Sequence, residues 1–171
     1  IDDKQGRKAS VAAPILQKQL TSDITAIVIA LGTNDIISRR ESWYPQYVID
    51  LVMKNSRGLP VLWVNTEFSA LGRRDWVSRS VRFNKALVKA QDRWPELRIA
   101  DWNKSFTPKA ASRFIADGVH LTVSGYKTRA SFIVKALSTY GTEVINASTT
   151  TTSTTTTPTT TTTTIPAEVT A

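Results

Sequence analysis

The sequence contains no cysteine, so disulfides, thiolate catalysis and cysteine-ligated metal sites are excluded at the outset. It contains one histidine, His120, and no grouping of His, Asp and Glu at metal-ligand spacing. A zinc site is therefore not expected, and neither is a cofactor. Long apolar runs are missing too. The longest aliphatic stretch, Ala26 to Leu31, falls far short of the ~20 residues that a membrane span needs, and the chain reads as soluble by itself. Charge disappears beyond residue 146 apart from Glu168, and every position from Ser148 to Thr164 is Thr, Ser or Pro. Such a tract has nothing apolar to bury and is expected to stay extended and disordered. The folding unit is accordingly placed at 1–146, with a Thr-rich tail at 147–171.

What is present is basic. The net charge is +8 over 171 residues, and leaving out Glu168 raises the folding unit to +9. A surface of that sign suits nucleic acid, anionic lipid or an acidic polymer such as a cell-wall glycan. The Lys and Arg residues are scattered, however, and none of the stretches interleaves them with aromatics as a nucleic-acid stacking platform requires, so nucleic acid is not the expected partner.

Helix and strand patterns alternate along the chain. Residues 9–20 read as a short helix, and the β-branched, apolar run from Ile24 to Leu31 as a strand covered on both faces, the habit of parallel sheets. A helix from about Tyr44 to Lys54 precedes a strand over Val61 to Val64, set off by Gly58 and Pro60. Residues 77–91 form an amphipathic helix with Val77, Val81, Ala86, Leu87, Val88 and Ala90 on its apolar side, and "ELRIADW" is a third strand. The last helix starts near Ser124 as N-cap and turns Tyr126, Ala130, Ile133, Val134 and Leu137 inward. This alternation predicts an α/β fold with a parallel sheet. Ligands of open parallel sheets sit outside the carboxyl ends of the strands, which draws attention to "LGTND", "VNTEF" and the approach to "DGVH".

In "ALGTND", Gly32 lets the backbone leave the strand closely packed and Asn34 can aim an amide at a developing oxyanion; taken alone, the stretch is equally an ordinary turn. In "DGVHLTVSGY", Asp117 and His120 lie three apart with Gly118 between them. The carboxylate can accept from one imidazole nitrogen while the other faces a cleft, although an isolated pair of this kind is more often a turn aspartate and a surface or core histidine. Asp35 reads as a brace for its own loop. Trp43 and Tyr44, soon after the first loop, are candidates for substrate contact, whereas Trp63 and Trp102 read as core or cleft wall.

Together, "G-x-N-D … D-x-x-H-L-T-x-x-G" resembles the third and fifth blocks of the SGNH (GDSL-type) hydrolase superfamily. "VLWVNT", Asn84, "ADW" and "DGVHLTVSGY" extend the likeness over residues 1–138 to SGNH domains of bacterial carbohydrate O-acetyltransferases and esterases. The resemblance implies a three-layer α/β/α, flavodoxin-like parallel sheet. It also implies His120 as general base, Asp117 as its orienting partner, and Asn34, Gly32 and Gly6 as the makers of an oxyanion hole. Gly6 can also be a simple turn glycine.

The family's Gly-Asp-Ser nucleophile motif is absent, and Ser10, Ser124 and Ser131 stand in the wrong places for it. The first strand and its serine are therefore expected ahead of Ile1, in a longer reading frame or behind a removed signal. The function so implied is an esterase or O-acyltransferase working through an acyl-enzyme on acyl, above all acetyl, esters of carbohydrate or cell-envelope polymer, with these 171 residues inactive alone. The alternative is a relative that binds glycan or anionic polymer without turnover. The expected setting is extracytoplasmic, as a monomer, with tethering or fusion to a membrane acyltransferase domain through the missing N-terminal region.

Overall fold

The computed structural model describes residues 2–70, 72–105 and 112–152. Three strands, β1 (Ile27–Ile29), β2 (Val61–Val64) and β3 (Leu97–Ala100), form a parallel sheet in the order β1-β2-β3. Ile27 lies opposite Val61, and Val61 opposite Leu97. Five helices connect and flank them: α1 (Ala9–Gln19), α2 (Thr33–Ser38), α3 (Tyr44–Asn55), α4 (Arg74–Ala90) and α5 (Val123–Thr152), with a 3-10 turn at Asn103–Ser105. The expected parallel α/β architecture is what the chain adopts.

The layers follow from the alternation of side chains along β2. Val61 and Trp63 point into a core closed by α1, α3 and α4, which contains Val48, Ile49, Val52, Phe83 and Leu87. Leu62 and Val64 point the other way, into a smaller cluster with Ala100, Trp102, Phe114 and Tyr140 that α5 covers. All four residues of β2 are buried, and each such aliphatic side chain withdrawn from water is worth about 1.5–3 kcal/mol. The middle strand thus anchors both halves of the core.

β1 is shorter than the run from Ile24 to Leu31 that reads as a strand. Its partner β2 begins at Val61, preceded by Pro60, whose carbonyl accepts from the Ile27 N–H at 2.8 Å, so residues upstream of Ile27 have no ladder to join. Nor is β1 covered on both faces. Val28 is 40% exposed, because α5 packs on β2 and β3 and leaves that face of β1 open. β1 is an edge strand: its side away from β2 has no partner among the described residues.

Two helices present different faces from those the apolar pattern suggests. On α4, Val81 and Val88 are 47% and 61% exposed. The inward positions are Arg79, Ser80, Phe83, Leu87 and Ala90, and Arg79 is held there by Asp75 at 2.7 Å and the Arg39 carbonyl at 2.9 Å. On α5, Tyr126, Ala130, Val134 and Leu137 face solvent, and Phe132, Ile133, Ala136 and Tyr140 face the sheet. The N-cap of α5 is Thr122 rather than Ser124: its hydroxyl accepts from the Gly125 N–H at 3.2 Å. The helix continues to Thr152, taking in the first residues of the tract expected to be extended, since each further residue adds a hydrogen bond to a helix already nucleated. The rest of the Thr-rich tail lies outside the described residues. No described helix is long and apolar enough to cross a membrane.

Candidate active site

A cavity of about 350 Å³ opens at the carboxyl ends of the strands. Ala30 and Leu31 reach it from β1, Asn65, Thr66 and Glu67 from β2, and Trp102 from β3; Gly6, Asn34 and His120 complete the reactive part of its lining. The structure therefore brings three of the sequence-predicted site residues around one space.

His120 owes its position to the turn before it. Gly118 takes φ +68°, a conformation open to glycine, so the chain folds back and the Gly118 carbonyl accepts from the Ser69 N–H at 2.9 Å. Asp117 Oδ1 then accepts from the N–H groups of Val119 (2.8 Å) and His120 (2.9 Å), while Oδ2 meets His120 Nδ1 at 2.7 Å. The hydrogen bond to His120 is the main cause that holds the Asp117 carboxyl below its ordinary pKa; desolvation opposes it, and the two backbone N–H groups add to the lowering. With Nδ1–H donating to the carboxylate, Nε2 is left as the acceptor, which is the tautomer a general base needs. The pair is largely exposed, so its value is orientation rather than stability.

Asn34 lies in the first turn of α2, where the chain has just left β1. Gly32 makes that exit: at φ +130° a Cβ there would stand 2.9 Å from both the Phe83 ring and the Thr66 methyl. One N–H of the Asn34 amide donates to the Arg7 carbonyl at 3.2 Å, tying α2 to the turn that carries Gly6. Gly6 has φ +74°, with nothing within 4 Å of a built Cβ.

Other predicted residues lie elsewhere. Tyr44 is 4% exposed and absent from the cavity lining; its hydroxyl donates to Asp35 Oδ1 at 2.8 Å. Trp43 is 61% exposed and also outside the cavity, packed edge-on against Tyr44 and Tyr47. Neither side chain lines this cleft, so neither is placed to touch a substrate in it. Asp35, buried, does more than brace its own loop: Oδ2 accepts from the Ala9 N–H at 2.8 Å, joining α1 to α3 through Tyr44.

Residues to which the sequence assigned no role complete the cleft. The loop after β2 is clamped by Asn84, whose amide donates to the Thr66 carbonyl at 2.8 Å and accepts from the Thr66 N–H at 3.0 Å. Asn65 bridges the ends of β2 and β3, donating to Asp101 Oδ1 at 2.7 Å and accepting from the Asn103 N–H at 2.9 Å. Held by these bonds, Glu67 lines the cavity and accepts from the Asn103 amide. Burial pushes its carboxyl up to about 7, with the nearby Asp101 charge adding to the effect and a backbone bond from Phe68 opposing it. Arg129, from α5, is half-buried in the same lining, and burial lowers its pKa. Glu67 lies within the quoted "VNTEF", so its place at a strand end was a usable signal; Arg129 carried none. Among the described residues no group of three His, Asp or Glu comes together as a metal site requires.

No family model matches the chain. A solved lipase/acylhydrolase from Enterococcus faecalis superposes with a TM-score of 0.65 over 77% of this chain and 71% of that one, at 19% identity. The chain shares the fold of that acylhydrolase. Over 80% of its length it is also 27% identical to a Bacillus subtilis (strain 168) protein named as a peptidoglycan O-acetyltransferase, YrhL. It spans about a fifth of that protein's length, matching 20% of it. The resemblance read from the motifs is thus met by the fold of an acylhydrolase and by likeness to a protein named as an O-acetyltransferase.

Proposed function

We propose that this cleft is the reaction site of a serine-type ester hydrolase or O-acyltransferase that acts on acyl, above all acetyl, esters of carbohydrate or cell-envelope polymer at or outside the cell membrane. The observation that carries the reading is the His120–Asp117 pair at the mouth of a cavity that Asn34 and Gly6 also line. The acylhydrolase fold and the O-acetyltransferase relative support it.

The chemistry follows from the parts. A serine attacks the ester carbonyl, and His120 Nε2 takes its proton as the C–O bond forms. The carbonyl oxygen, now negative, is stabilised by the Asn34 amide and the Gly6 N–H. Collapse expels the alcohol, to which His120 returns the proton, and leaves an acyl-enzyme. Water as second acceptor gives hydrolysis; a sugar hydroxyl gives transfer. No serine lines the cavity among the described residues, and the nucleophile is proposed to come from chain outside these 171 residues, on a strand that pairs with the free side of β1.

The lack of a serine in the lining also favours a second reading, in which the cleft holds glycan without turnover. One experiment separates the two. The natural full-length protein is expected to turn over a chromogenic acetyl ester, and His120→Ala to abolish that turnover. Glycan binding that survives the substitution, in a protein that never releases acetate, would establish the second reading instead.

A further inference from the structure

Lys and Arg are scattered over residues 1–146, yet Arg129 is the one of them that lines the cleft among the described residues. Among the described residues its guanidinium makes no ion pair, hydrogen bond or ring contact, and its one electrostatic neighbour is Tyr126, in the same lining. Arg79 shows how this fold treats an arginine whose role is internal, giving it the Asp75 carboxylate and backbone carbonyls on every side. Glu67, the one carboxyl in the cavity lining, answers to Asn103 and Asp101 rather than to Arg129. A half-buried guanidinium that gives up part of its water without gaining an acceptor is better satisfied when a bound anion supplies one.

The geometry points to Arg129 as the residue that recognises an oxyanion, carboxylate or phosphate, carried by the saccharide whose ester lies at His120. This rests on the cleft being the substrate site and adds a substrate class to it: acidic rather than neutral glycan. The planar guanidinium fork matches either anion through two parallel N–H···O bonds, and the +8 charge of the chain favours the approach of such a polymer. Loss of one charge-assisted anchor of this kind weakens binding about tenfold or more.

The lone histidine makes the test direct, because a single pair of imidazole resonances reports occupancy of the cleft by NMR. Titrations of this chain with trigalacturonate, glucose 6-phosphate and maltotriose compare carboxylate, phosphate and neutral probes. An anionic probe is expected to move the His120 resonances. Arg129→Gln should weaken that probe at least tenfold, Arg129→Lys by less, and the exposed Lys135→Gln not at all, with any maltotriose binding unchanged; the anion that shows this dependence identifies the source of the charge. Arg129→Lys carries the test if Arg129→Gln does not fold. Absence of any effect of anionic probes on His120, equal losses for maltotriose, or equal losses in Lys135→Gln would overturn the assignment. Because the readout is binding, a protein that shows the Arg129 dependence but no His120-dependent turnover would refute the esterase reading and leave the anion subsite standing.

Discussion

Glu67 offers a quantitative check on the cleft. Its carboxyl, half-buried beside Asp101, keeps its proton to about pH 7 against an ordinary 4.5. A folded-state pKa raised above the unfolded value means that the folded chain binds the proton more tightly. The associated stability is full below about pH 4.5 and is lost as pH rises through 7. Each pH unit across that window is worth about 1.36 kcal/mol, which sets an upper limit of about 3.4 kcal/mol. Glu67 still meets water in the cavity, so the realised loss should be nearer ~2 kcal/mol. Glu67→Gln keeps an oxygen for the Asn103 amide to donate to and cannot ionise. Urea or thermal unfolding followed by circular dichroism at pH 5 and pH 8 gives the comparison. The two proteins should be close at pH 5, and the variant should be the more stable by ~2 kcal/mol, or roughly 4–8 °C in Tm, at pH 8. Effects of His120 cancel in the difference, since both proteins carry it. A gap between the two proteins that does not change with pH would refute the claim that Glu67 is desolvated in this cleft.

Two further outcomes follow from the site's construction. Gly32→Ala places a methyl 2.9 Å from the Phe83 ring and the Thr66 methyl at an unfavourable φ, and should cost about 1–3 kcal/mol in urea unfolding. Asp117→Asn leaves the turn but favours the wrong imidazole tautomer; ester turnover by the full-length protein should fall by about 10³–10⁴, as in other His–Asp pairs, with stability changed by less than about 0.5 kcal/mol because the pair is exposed.

The parts of the fold that the sequence made legible are those fixed by local pattern. β2 reads true from four apolar residues in a row bounded by Gly58 and Pro60, and it is buried on both sides as such a run implies. The extent of β1 could not be read this way, because its length is set by where β2 begins, not by its own apolar residues. On α5, apolar residues occur around much of the helix, so the face that meets the sheet depends on where Tyr140 and Phe132 find the second core. Asp117 and His120 were legible because three residues and a glycine suffice to join them. The place of Glu67 at a strand end was legible, but its role and that of Arg129 were not: each matters through how much water surrounds it, and that depends on loops brought together from three strands and α5.

The central claim is that the Asn34 amide and the His120 imidazole serve one reacting carbonyl. Its most direct test is steady-state hydrolysis of an acetyl ester by the full-length protein and its Asn34→Ala variant. Loss of a side-chain oxyanion donor should lower kcat by about 10²–10³ with KM little changed. An unaltered kcat in a variant that folds normally would contradict the claim.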